Sequence, residues 1–164
     1  MILRDANIAE EACQTSEFLK HNSLNAAEFS GVLAAVRSYY GSGARGTLNR
    51  IGRSVWHKVV RKTLKGWIVY PLVRLAGARL ALRLLANLIK KPDGDVSVHL
   101  LDREMIFMDT SSDATVDQED DQPVCWYTIG LIQACVSWAS NEEISVEEIA
   151  CRAMGHEACK FKIE

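Results

Sequence analysis

At Pro92-Asp93-Gly94 the hydrophobic period of the chain changes from that of helices to that of strands. On the N-terminal side apolar residues recur at three- and four-residue spacing. Asn25 suits a helix cap, and Phe29, Val32, Leu33 and Val36 predict a helix over 26–40. Gly41-Ser42-Gly43 breaks it. A second helix over 44–63 sets Leu48, Ile51, Val55, Val59 and Val60 against Arg50, Arg53, Lys58, Arg61 and Lys62. The third, over 72–91, is the most apolar segment, yet Arg74, Arg79 and Arg83 make it a costly membrane span. Arg79, Arg83 and Lys90 share one narrow stripe, which suits a mostly buried core helix. A helix lying on a membrane interface carries the same pattern.

On the C-terminal side Val96, Val98 and Leu100 alternate with Ser97 and His99, and Met105 and Phe107 lie across a turn at Asp102-Arg103. Pairing Leu101 with Glu104 sets Leu100 against Met105 and Val98 against Phe107, a hairpin over 95–109. Residues 110–122 are acidic and predict a loose loop. Pro123 suits the first turn of a helix over 123–140, where Gly130 and Ala134 leave a flat strip for close approach. The last segment gives two signals. Ser145 and Glu148 imitate a capping box, whereas Phe161 and Ile163 alternate with Lys160, Lys162 and Glu164 as in a strand. A hairpin over 145–163 turning at Gly155 pairs Ile149 with Phe161 and accounts for more of the pattern. Two hairpins join into a four-stranded antiparallel sheet covered by helices on one face, an α+β domain. Residues 25–164 then form one domain behind an N-terminal extension or short helix over 1–24.

The net charge of −2 conceals an asymmetry. From Phe29 to Pro92 there are thirteen Lys or Arg and no acid, and from Asp93 onward sixteen acids face four bases. Such a block attracts an anionic membrane, an acidic protein or the acidic half of the chain itself, within a domain or across a dimer. No nucleic-acid partner is expected. Residues 1–7 lack the apolar core of a signal peptide, so the expected location is cytoplasmic, where five cysteines serve as thiols or ligands rather than disulfides.

In the second hairpin Cys151 and Cys159 are opposed, near enough to share a metal ion. Cys125 sits at the start of the preceding helix, where the dipole favours a thiolate. Glu148, Glu147 or His156 could complete the set. Cys13 and Cys135 have no partners in this scheme.

Pro-Val-Cys-Trp-Tyr-Thr-Ile-Gly at 123–130 and Glu-Glu-Ile-Ala-Cys-Arg-Ala-Met-Gly-His-Glu-Ala-Cys-Lys-Phe at 147–161 resemble the vinyl-4-reductase domain family. Gly43 to Gly52 resembles the glycine-punctuated helix before the family's sheet. The family includes sensor domains of phenol- and xylene-responsive activators and a protein linked to bacteriochlorophyll synthesis. Its fold is shared with vesicle-tethering subunits. The resemblance implies structural zinc held by Cys125, Glu148, Cys151 and Cys159. In a regular strand Glu148 points away from Cys151, so a bulge, a helical turn or ligation by Glu147 instead must reconcile the two.

The family also implies a pocket for a hydrophobic small molecule between helices and sheet. Trp56, Trp67, Tyr70, Phe107 and Trp126 are its candidate lining. No residue pair resembles an acid–base couple or an activated nucleophile, and no phosphate or dinucleotide loop is present, so an enzyme is not expected. The expectation is a sensor or carrier for an aromatic, tetrapyrrole or hydrocarbon-like ligand, acting as a homodimer or through a separate partner. The alternative is a scaffold that docks a membrane or protein complex through its basic helices.

Overall fold

Asn25 caps the first helix as its position predicts, accepting from the Glu28 N–H at 2.9 Å while the Glu28 carboxylate returns the bond to the Asn25 N–H. Such a capping box contributes about 1 kcal/mol. The computed structural model describes residues 24–60, 73, 76–101 and 104–164. The expected short helix within 1–24 and the side chains of Trp67 and Tyr70 lie outside the described residues.

Helix α1 (Ala26–Tyr40) passes through a 3-10 turn at Gly41–Gly43 into α2 (Ala44–Val55), which widens into a π turn over Trp56–Val60. Next come α3 (Ala78–Ile89), β1 (Val96–Leu101), β2 (Glu104–Asp109), α4 (Trp126–Ser140), β3 (Val146–Ala150) and β4 (Cys159–Ile163). The strands form one antiparallel sheet in the order β1-β2-β4-β3, and the helices pack on it, so the architecture is α+β. Among the described residues no helix is long and apolar enough to cross a membrane.

The first hairpin has the expected register, with Leu101 opposite Glu104 and Val98 opposite Phe107. The second has it only on the turn side of a bulge, where Ala150 faces Lys160; before the bulge Phe161 faces Glu148 rather than Ile149, which is left half exposed. The Ser145–Glu148 pattern is no helix start, because Ser145 and Glu164 exchange backbone hydrogen bonds at the end of the ladder.

Three helical expectations also change. The third helix does not run unbroken over 72–91: Gly77, at φ 78, separates it from the helical backbone before, and α3 starts at Ala78. Glycine adopts that conformation without steric penalty. In α2 the buried face is Ala44, Leu48, Gly52 and Trp56, while Ile51 is exposed. The reason is close packing on α4. A Cβ at Gly52 would lie 2.0 Å from the Tyr127 carbonyl oxygen, and one at Gly130 would lie 2.1 Å from that of Asn49. The flat strip at Gly130 therefore receives α2. Finally, α4 begins at Trp126 with Cys125 as its cap.

The core is filled by Trp56, Leu48, Leu82, Leu85, Ile132, Phe107 and Phe161, all fully buried. Arg79 and Arg83 of α3 and its C-cap Lys90 are exposed, and Ala81, Leu82, Leu85 and Ala86 are buried. The acidic stretch is anchored rather than loose. Ser112, Ala114 and Thr115 are buried around a 3-10 turn, and the Ser30 hydroxyl of α1 donates to the Ala114 carbonyl.

Candidate functional site

The bulge in β3 decides which side chains meet. Before it, Val146 and Glu148 face inward while Glu147 and Ile149 face outward. The extra residue shifts the alternation by one, so Cys151 returns to the inner side with Glu148. A 3-10 turn at Arg152–Met154 and Gly155, at φ 85, then swing the chain back to Cys159. Cys125 reaches the same point from α4. Ligand atoms of Cys125, Glu148, Cys151 and Cys159 all lie within 4.8 Å of one another, and all four residues are buried.

Thiolates on one tetrahedral zinc ion, each about 2.3 Å away, stand about 3.8 Å apart. Here the Cys125 sulfur lies 3.6 Å from that of Cys159 and 3.9 Å from that of Cys151, and the cysteines are free rather than bridged. Glu148 accepts the Cys125 N–H on Oε2 at 2.9 Å, while its other oxygen is buried without a partner among the described residues. The Arg152 N–H donates to the Cys159 sulfur at 3.4 Å, a bond that favours a thiolate. This donor set fits a divalent, thiophilic cation.

The protons tell the same story. Burial pushes the Glu148 carboxyl up to about 8. The Cys125 thiol is held well above its usual range by its contacts with Cys151 and then Cys159, while the Cys151 sulfur, receiving from the same neighbours, is driven down. Four acids crowded into one dry corner cannot all ionise alone, and a divalent cation is the kind of group that could take the place of their protons. Arg37 of α1 adds a fixed positive charge. Its Nη2 donates to the Gln118 side chain at 2.8 Å and its Nη1 is buried without a described partner; burial lowers its pKa, against the charge of Asp120 first and of Cys125 and Cys151 after it. Nothing in the sequence pattern pointed to Arg37, which lies 88 positions before Cys125.

A cleft of about 680 Å³ opens between the helices and the end of β2. Phe29, Val55, Ile89, Tyr127 and Leu131 supply apolar walls, and Asp109, Ser111 and Thr128 supply polar groups. Burial holds the Asp109 carboxyl above the usual range, against the bonds it accepts from Ser111. Of the aromatics expected to line a pocket, the three described ones, Trp56, Phe107 and Trp126, do not line this cleft. Trp56 is buried against Trp138, Phe107 against Phe161, and Trp126 borders a separate hollow beside Arg45 and Gln133. The sequence did carry one signal for Asp109. It follows Met105 and Phe107 at the inward positions of β2, where an acid has no packing purpose.

Cys135 is buried alone on α4, and Cys13 lies outside the described residues. Glu147 and His156, the other candidate ligands, are exposed.

Residues 108–164 match the sequence model of the V4R domain. An uncharacterized protein of Methanocaldococcus jannaschii is 35% identical over 48 residues, which is 29% of this chain and only 26% of that protein's length. Among solved structures, the phenol-responsive sensory domain of the transcription activator PoxR superposes with a TM-score of 0.60 at 16% identity, covering 82% of this chain and 73% of that one. An H-NOX protein from S. oneidensis gives 0.55 at 14% identity, over 99% of this chain and 85% of that one. A vinyl-4-reductase family protein from Methanocaldococcus jannaschii gives 0.50 at 15%, over 94% and 90%. By sequence over residues 108–164 and by fold over most of its length, the chain resembles the vinyl-4-reductase domain family.

Proposed function

We propose that the chain is a zinc-stabilised binding module, a sensor or carrier, for a hydrophobic small molecule. The observation that carries this is the convergence of Cys125, Glu148, Cys151 and Cys159 on one buried point beside a mostly apolar cleft. Bound zinc would tie the start of α4, the bulge of β3 and the first residue of β4 into one rigid corner. Four protein donors close the coordination sphere, so the ion would serve structure.

The cleft, at about 680 Å³, lies in the usual size range of small-molecule sites. A phenol-bound sensory domain with a similar fold supports the same reading. The bound state would be read by a second copy of the chain or by a partner protein.

Native mass spectrometry of protein purified without chelator tests both halves together. The expected result is one zinc per chain, and a fraction carrying an additional apolar molecule that organic extraction removes. A folded chain with no metal, and with no uptake of any apolar compound after extraction, sinks the proposal.

A further inference from the structure

Asp109 is a group that zinc binding does not employ and that an apolar cleft alone does not need. It occupies the last inward position of β2, lines the cleft and is only 6% exposed. Its Oδ1 accepts from the Ser111 N–H at 2.9 Å and from the Ser111 hydroxyl at 3.4 Å. Its other oxygen accepts no hydrogen bond among the described residues. A carboxylate has about four acceptor sites, so half of this one is unspent and faces the cleft.

Lys91 lines the same cleft and its charge acts on Asp109, but its Nζ is paired with Asp113. Ser111 cannot drift away either, because it packs on Gly94, where a Cβ would come within 2.0 Å of its hydroxyl oxygen. The result is a fixed acceptor at the polar end of a cleft walled by Phe29, Val55, Ile89, Tyr127 and Leu131.

Resting on the proposed function, we infer that Asp109 selects ligands whose apolar body ends in a hydrogen-bond donor, an alcohol or an amine. Against a donor head the spare oxygen completes its bonding. A terminus that only accepts, such as an ether or a carboxylate, leaves that oxygen unpaired or repelled.

Calorimetric titration of the zinc-bearing chain with octanol, octylamine, heptyl methyl ether and octanoate tests this, because the four share an apolar body and differ at the head. Octanol and octylamine are expected to bind at least about tenfold tighter than the ether, and octanoate the weakest. Asp109→Asn should erase the preference for octanol over the ether, since an amide can place a donor where the oxygen accepted. Ser111→Ala keeps the carboxylate and should keep the preference, even if Asp109→Asn does not fold. Equal binding of octanol and ether by the native chain overturns the inference, as does an undiminished preference in Asp109→Asn. Binding of none of the four overturns the cleft as a ligand site, and this inference with it, while the zinc content stands as a separate result.

Discussion

The cysteine corner and the cleft meet across one rung of the sheet, Asp109 opposite Cys159, yet they are put together in contrary ways. In the corner, four donors from 35 residues of sequence bring their ligand atoms within 4.8 Å of one another. The cleft draws Phe29, Ile89, Asp109 and Tyr127 from four separate stretches and leaves open space between them. The corner is local, closed and chemically complete. The cleft is assembled at long range and has an oxygen to spare. A metal site of the first kind can hold the sheet end in place, and a cleft of the second kind can exchange what it holds. If the two are coupled, the coupling runs through the β2–β4 ladder.

The strongest test of this division is Cys159→Ser. It should abolish zinc retention and cost about 3–5 kcal/mol, or roughly 10 °C in melting temperature for a chain of this size. Chelation of the native protein should do the same, and calorimetric scans with and without chelator would measure it. A folded, zinc-free variant with an unchanged melting temperature would show that the corner is ordinary core.

Gly130→Ala attacks the helical layer instead. The new methyl would lie 2.1 Å from the Asn49 carbonyl oxygen, a backbone atom with little freedom to yield. The α2–α4 contact must open, at an expected cost of about 3 kcal/mol. Zinc content of whatever folds should remain at one per chain, because Gly130 touches no ligand. Joint loss of helical packing and metal would mean that the two regions fold as a single unit.

How much of this was legible in advance follows from the same contrast. The helix over 26–40 and the first hairpin were readable, since a capping box and a strict two-residue alternation are local signals. The α2 stripe placed Leu48 and Val55 on the core but misplaced Ile51, because the close contact with α4 is made by a glycine, which adds nothing to a hydrophobic pattern. The second hairpin slipped by one residue because a bulge has no composition of its own. That same bulge carries Glu148 and Cys151 to one side, so the preference for Glu148 over Glu147 and His156 came only from resemblance to a family. The cleft was not legible at all, because no periodicity connects Phe29 with Ile89 or Tyr127. Asp109 alone broke the pattern of its strand.

Arg37→Gln should weaken zinc binding by about 2- to 5-fold, as a charge shared with Asp120 would. Three thiolates and a carboxylate around a divalent ion leave the corner net negative, and the Arg37 guanidinium, shared first with Asp120, acts on Cys125 and Cys151 as well. Competition with a chelator of known affinity would measure the change. An unaltered affinity would mean that the peptide N–H groups around the sulfurs suffice.

The smallest effect is expected at Glu147, and its smallness is informative. Glu147 and Glu148 are adjacent carboxylates of equal chemistry, separated only by the pleat. Glu148 is 7% exposed with one oxygen on the Cys125 N–H, while Glu147 lies on the solvent side opposite Lys162. Glu147→Gln should leave zinc stoichiometry unchanged and stability within about 0.5 kcal/mol, whereas Glu148→Gln should lower affinity sharply. A reversal, with Glu147→Gln losing the metal, would place the bulge one residue earlier in the zinc-bound chain. It would also turn Cys151 away from Cys125, so the corner and its neighbour across the ladder would have to be redrawn together.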